Sequence, residues 1–227
     1  MRRANVDETL TRFIAKILRW LILVIAGIMC LSAFGIETTS FAAVLGAAGL
    51  AVGLAFQGTL SNFSAGVMLL VFRPFKVGDA VTVGGTTGKV DAIDLVSTTL
   101  DTADNRRFVV PNSTVFGSTI ENITFHDTRR VDINVGCDYS ADIDRTREVL
   151  NEAALTVPGR IDDPEHQIVL SGLGASSVDW IVRVWCKTDD YWDVRDAGIR
   201  AVKQALDNAG IGIPYPQMDV HVDKGDG

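Results

Sequence analysis

The sequence predicts an α+β membrane protein: a transmembrane helical hairpin, then a small barrel-like β domain, then an α/β domain of order βαββαβ. Three observations carry this expectation. Two long apolar stretches separated by a short polar link stand at the front, period-two alternation begins after Pro74, and strands alternate with helices from Val131. The charge is divided unevenly along the 227 residues. Residues 1–76 hold 7 Lys and Arg against 3 Asp and Glu, whereas residues 77–227 hold 14 against 25. The acidic part is expected to be soluble, and it offers no clustered basic face to a nucleic-acid backbone. The predicted divisions are an N-terminal segment with the first transmembrane helix (1–40), a second apolar helix with a kink and an interfacial helix (41–74), a β domain (75–130), an α/β domain (131–222) and a tail (223–227).

Trp20 to Ile36 carries no charge, and Lys16 and Arg19 can snorkel from the preceding turn, so a span beginning near Phe13 is long enough to cross a bilayer. A signal peptide is the competing reading of this stretch, with Ser32, Ala33 and Gly35 as small residues near its end. A second apolar segment follows at once and favours the hairpin. From Thr38 to Phe72 no residue is charged, and the link Glu37-Thr38-Thr39-Ser40 has only a negative charge. Arg2, Arg3, Arg12, Lys16 and Arg19 flank the start and Arg73 and Lys76 the end, which places both termini on the cytoplasmic side.

Within the second segment, FAAVLGAAGLAVGLAFQG (41–58), the residue types separate by face. At about 100° per residue Ala43, Ala47, Leu50 and Leu54 form one stripe, Gly46, Gly49 and Gly53 lie to one side, and Ala48, Ala51 and Ala55 to the other. Helices in lipid associate through small residues that let backbones approach. Two unlike small-residue flanks point to a head-to-tail contact, which closes into a ring when the rotation allows, with Leu50 and Leu54 facing the axis as hydrophobic collars. The plainer alternative is a small-xxx-small helix packed on one neighbour, with no pore. Gln57-Gly58 is expected to interrupt this helix, because glycine weakens a helix interior by about 1 kcal/mol relative to alanine. Beyond it Leu60, Phe63, Val67, Leu70 and Val71 recur at helical spacing, an amphipathic helix at the membrane surface that ends by Arg73, before Pro74.

The β domain is expected to contain a hairpin, Ala80–Val83 and Thr86–Val90 around Gly84-Gly85, then a long strand-like run from Val90 to Thr102, a turn at Ala103-Asp104-Asn105, and strands over 108–110 and 120–124. Strands over 131–137, 168–171, 178–186 and 218–222, with helices over 142–156 and 190–209, give the split βαβ, or ferredoxin-like, order. Asp142 is placed to cap the first helix and Gly210 to end the second. The last short strand is expected to pair with the same strand of other subunits.

Candidate chemistry is sparse. His126, His166 and His221 lack ligand spacing, and Asp138, Asp142 and Asp144 do not fit a calcium loop, so no metal is expected. Gly84–Lys89 is not a phosphate loop, because Val83 and Val90 occupy positions that need Gly and Ser or Thr. Gly172-Leu173-Gly174 reads as a turn rather than a dinucleotide site, and Trp180, Trp185 and Trp192 as core or subunit-contact residues. Cys30 lies in a membrane segment, while Cys137 and Cys186 are expected to be buried in strands, with no disulfide framework. No set of acid, base, nucleophile and anion hole converges, so neither an enzyme nor a cofactor is expected.

Six segments together resemble the small-conductance mechanosensitive channel (MscS) family: VLGAAGLAVGLAFQGTLSN (44–62), FRPFKVGD (72–79), TADNRRFVVPNS (102–113), LGASS (173–177), RVW (183–185) and GIPYPQMDV (212–220). The resemblance implies a homoheptamer in the bacterial inner membrane that opens under membrane tension and releases ions and small solutes during hypoosmotic shock. It implies Leu50 and Leu54 as the seal, a kink near Gln57 and Gly58, an Sm-like β domain, and membrane lipid as the other partner. Members usually carry another helix ahead of the hairpin. Nothing before Phe13 reads as one, and the chain is expected to be a fragment, a misassigned start or a shortened member. The alternative function is a membrane-anchored oligomeric scaffold whose cage binds proteins.

Overall fold

The computed structural model describes residues 8–218, 220 and 221. The chain divides into two compact units: the helices through Arg73 with residues 92–99 and 109–118, and residues 74–91 with 100–108 and the chain from Thr119 onward.

The first unit is led by α1 (Glu8–Ala33) and α2 (Thr39–Phe72), both long and apolar enough to cross a membrane. Their apolar windows have no share buried within the chain, so these side chains are exposed to whatever surrounds the protein. A water-soluble helix would bury such a face. The link is closed by Gly35 at φ 78° and by the Ile36 N–H donating to the Leu31 carbonyl at 3.1 Å. The expected interruption at Gln57-Gly58 is not found, and the amphipathic stretch after it is not a separate helix: α2 runs unbroken for 34 residues. One glycine costs only about 1 kcal/mol, and the long hydrogen-bonded helix on either side outweighs it. The helix does end where expected. Arg73 is left-handed (φ 48°), its N–H donates to the Leu69 carbonyl at 2.9 Å, and Pro74 follows.

Five strands form one sheet, β1 (Ala80–Val83), β2 (Thr86–Ile93), β3 (Ser97–Asp101), β4 (Arg107–Pro111) and β5 (Glu121–Asn122), in the order β4-β3-β2-β1-β5. Gly84 and Gly85 both have positive φ (55° and 79°), the geometry of a tight hairpin turn, and pair Val83 with Thr86. The run 90–102 is two strands rather than one. The chain turns at Asp94–Val96, with the Asp94 N–H donating to the Ser97 carbonyl at 2.8 Å. A short helix, α3 (Asn112–Phe116), interrupts the expected strand sequence.

In the second unit β6 (Thr128–Cys137), α4 (Ile143–Thr156), β7 (Arg160–Ile161), β8 (Gln167–Leu173), β9 (Val178–Lys187) and α5 (Tyr191–Ala209) build the α/β domain. β9 lies at the centre of the sheet, antiparallel to β6 from Val178↔Cys137 to Lys187↔Thr128, with β8 and β7 on its other edge. Alternate residues Trp180, Val182, Val184 and Cys186 of β9 are buried against Val149, Leu150 and Ala153 of α4 and Val194, Val202 and Leu206 of α5. Gly198 lets α5 approach the sheet, because a Cβ there would collide with the Ile133 side chain. The Asp142 carboxylate accepts the Arg145 N–H at 2.8 Å, and Gly210 (φ 69°) ends α5. Asp142→Ala is expected to destabilise the domain by about 1 kcal/mol, read as a lower thermal midpoint.

Two expectations are corrected here. Met218, Val220 and His221 form no strand, and Asp219 and Val222 lie outside the described residues. A strand needs a hydrogen-bonding neighbour, and no strand among the described residues of this chain runs beside that segment. Gly172 and Leu173 belong to β8, at an irregularity after Leu170, and only Gly174 is in the turn. Cys137 and Cys186 are buried as expected, and desolvation pushes the Cys137 thiol up to about 11. A maleimide at pH 7.5 is expected to reach Cys137 and Cys186 only on unfolding. Trp180 is core, Trp185 is partly buried and Trp192 is exposed.

Candidate functional site

Leu50 and Leu54 are 66% and 62% exposed, one turn apart on α2. The glycines beside them make no close approach within the chain: nothing lies within 4 Å of where a Cβ would sit on Gly46, Gly49, Gly53 or Gly58. Glycine weakens a helix interior by about 1 kcal/mol relative to alanine, and no neighbour in this chain calls for its small size at these positions. Smooth backbone on an uncovered apolar helix is what close contact with another helix in lipid uses.

Gly66, on the same helix, is the opposite case. A Cβ there would lie 2.6 Å from the Leu95 carbonyl oxygen and 2.5 Å from Asn112 Nδ2, so α2 touches the backbone of the β2–β3 turn. Around this contact the polar groups are matched. Asn112 is fully buried; its Nδ2 donates to the Asp94 carbonyl (2.9 Å), its Oδ1 accepts from Thr98 Oγ1 (2.8 Å), and its N–H donates to the Val96 carbonyl (3.0 Å). Asn62 Oδ1, one turn above Gly66, accepts the Ser113 N–H at the start of α3 at 2.9 Å, while its Nδ2 donates to the Gly58 carbonyl at 3.0 Å. Ala65 and Leu69 are buried beside it. The lower part of α2 is thereby anchored, and the upper part is bare.

Sequence reasoning did not find this anchorage. Its only trace in the sequence is polar residues in unlikely company, Ser61-Asn62 inside an apolar helix and Asn112-Ser113 directly after a strand. The other singled-out residues do not converge. His166 Nε2 pairs with Asn151 Oδ1, and the His126 carbonyl accepts the Thr188 hydroxyl. Asp142 is the helix cap, and the Asp138 N–H donates to the Gly212 carbonyl. Hydrogen bonding to Arg107 holds the Asp101 carboxyl below the usual carboxylate range, in a partly exposed cluster that also takes in Asp91. No three His, Cys, Asp or Glu among the described residues are grouped as metal ligands would be.

An uncovered apolar helical hairpin with a small-residue flank, anchored on a β sheet and followed by an α/β domain, has the features of a subunit of an oligomeric membrane protein. Three models of one family match in sequence order: mechanosensitive ion channel transmembrane helices 2/3 over residues 16–57, its beta-domain over 58–125, and the MscS C-terminal domain over 131–213. The chain is 46% identical over 222 residues to a small-conductance mechanosensitive channel of Edwardsiella ictaluri, covering 98% of this chain and 78% of that protein. The crystal structure of Helicobacter pylori MscS in its closed state superposes with a TM-score of 0.92 at 34% identity, covering 98% of this chain and 88% of that one. Arabidopsis thaliana MSL1, at 19% identity and a TM-score of 0.78 over 92% and 78% of the two chains, shares the fold. The chain belongs to the MscS family of mechanosensitive channels.

Proposed function

We propose that copies of this chain, roughly seven by the family resemblance, stand as a ring in a bacterial inner membrane with both termini cytoplasmic, and open under membrane tension to release ions and small solutes during hypoosmotic shock. The single observation that carries the reading is the contrast along α2: glycines with nothing of their own chain to touch above, and an interlocked glycine below. In the ring Gly46, Gly49 and Gly53 of one copy pack on Ala48, Ala51 and Ala55 of the next. Leu50 and Leu54 then form the seal, since a narrow collar without hydrogen-bonding groups stays dry and blocks ions. Tension favours the wider state in which the collars withdraw, with bending at Gln57 and Gly58, where glycine lowers the cost of leaving helical geometry. Residues 1–40 and 41–74 supply the membrane part, 75–130 the Sm-like domain, 131–222 the α/β domain, and 223–227 a tail.

The test is electrical. Protein reconstituted in liposomes is expected to give step-like currents when suction is applied to excised patches. Electrical silence up to patch rupture would overturn the gating reading and leave the oligomeric scaffold.

A further inference from the structure

Beyond the two leucines the same stripe of α2 changes character. At about 100° per residue Leu50, Leu54, Gln57, Ser61 and Ser64 fall within an arc of about 80°. Gln57 follows Leu54 by about 4.5 Å along the axis. The anchored residues Asn62, Ala65, Gly66 and Leu69 centre about 110° round the helix to one side, and Leu60, Phe63, Val67 and Leu70 about 120° to the other. The lower part of α2 therefore has three faces, one held by its own chain, one apolar and one polar. A shallow open hollow of about 400 Å³ joins the seal to the polar face, lined by Gly53, Leu54, Gln57, Leu60, Ser61 and Ser64.

The polar groups of the anchored face are matched, as Asn62 is by the Ser113 N–H and the Gly58 carbonyl. Gln57, Ser61 and Ser64 are exposed, and their side chains make no hydrogen bond among the described residues. A helix can satisfy a hydroxyl on its own backbone, as Thr146 of α4 does on the Asp142 carbonyl at 2.7 Å. Ser61 and Ser64 do not. A carboxamide and two hydroxyls left unmatched in hydrocarbon are costly, so this face belongs against water or against polar groups of another copy. Its continuity with Leu50 and Leu54 favours water. No residue from Thr38 to Phe72 is charged, so the face is neutral as well as polar.

We infer that Gln57, Ser61 and Ser64 line the conduction path on the cytoplasmic side of Leu50 and Leu54, with Gln57 as the polar stop that limits the length of the dry plug. The inference rests on the ring proposed above and adds what the path is made of beyond its seal. A longer apolar neck is harder to fill than a short one, because each further collar adds surface that water must wet. On the far side of the collars the stripe returns to Ala43 and Ala47, whose small side chains leave the bore wide. On the near side the Gln57 amides hold water less than one turn from Leu54. The dry stretch is confined to two collars. A neutral lining after it favours neither cations nor anions.

The experiment uses the full chain in liposomes, with Ser61→Cys, Ser64→Cys or Val67→Cys in a Cys30→Ala background, where the remaining thiols, Cys137 and Cys186, are buried. Patches are held open by suction with a membrane-impermeant methanethiosulfonate that carries a trimethylammonium group on both faces. The cysteine thiolate displaces methanesulfinate, which leaves the cation attached through a disulfide. Single-channel current and the reversal potential in a potassium chloride gradient are read before and after, and intact mass reports the adduct. Ser61→Cys and Ser64→Cys are expected to gain the adduct, to lose about twofold in current as fixed positive charge excludes potassium, and to shift the reversal potential toward that of chloride. Val67→Cys, on the apolar face, is expected to keep its current and reversal potential. Gln57→Leu, which adds a third collar, is expected to raise the opening tension. Adducts at positions 61 and 64 that leave a conducting channel unchanged, no adduct there, or an equal effect at position 67 each overturn the inference and leave the channel reading standing. Gln57→Leu opening at the parent tension overturns the polar stop. A parent that is silent up to patch rupture overturns the channel reading and the inference with it.

Discussion

Leu50→Ser is expected to open at clearly lower tension than the unaltered protein in patches from reconstituted liposomes. A leucine side chain favours removal from water by about 2 kcal/mol relative to exposure. Serine has no such preference, and its hydroxyl offers hydrogen bonds to the first waters that enter. Repeated around roughly seven copies, the change removes on the order of 10 kcal/mol from the preference of the closed neck for being dry. Tension then has less to supply. Leu54→Ser, one turn away on the same face, is expected to act in the same direction. An unchanged threshold in both variants would remove these residues from the gate, whereas a changed threshold with unchanged single-channel current would locate their effect in the closed state.

The second large effect is expected at Asn112. Asn112→Leu keeps the approximate volume but leaves Thr98 Oγ1 and the Asp94 carbonyl without their partner in a fully buried place. Each buried group left unmatched costs about 1–3 kcal/mol. The expected loss is about 3 kcal/mol, a fall in the thermal midpoint on the order of 10 °C for a chain of this size. Because Gly66 of α2 lies against Asn112 and Leu95, the variant is also expected to loosen the grip on α2 and, on the proposed function, broaden the range of tensions over which the channel opens. A midpoint within 1 °C or so of the parent protein would show that the network carries little of the stability of the unit.

The residues whose roles were legible in advance are those whose information is periodic or local. The end of α2 at Arg73, the Gly84-Gly85 turn, the Asp142 cap and the Gly210 stop all depend on neighbours within a few positions, and each stands where the sequence places it. What was misread depends on distance or on competition. Gly58 does not break the helix, because its local penalty is small against 34 residues of continuous helix. The split of residues 90–102 into two strands comes from a turn at Asp94–Val96 with no glycine or proline to mark it. α3 has five residues, too few to show a helical period. The Asn112 network joins residues 14 and 18 positions apart, and the contact of Asn62 with Ser113 spans 51. Neither leaves a pattern in a linear reading. The C-terminal strand is expected to pair with other copies, and one chain alone supplies no neighbour for that pairing.

The unbroken length of α2 has a mechanical consequence. Thirty-four residues at 1.5 Å each make a rod of about 51 Å, against a hydrocarbon slab of about 30 Å. Standing upright, the rod would leave some 20 Å outside the slab, and Asn62, Gly66 and Leu69 all belong to its lower third. The helix is a lever with its load arm in the bilayer and its grip on the β2–β3 turn. A thicker membrane, drawing more of the rod inside, should strain that grip without any stretch at all.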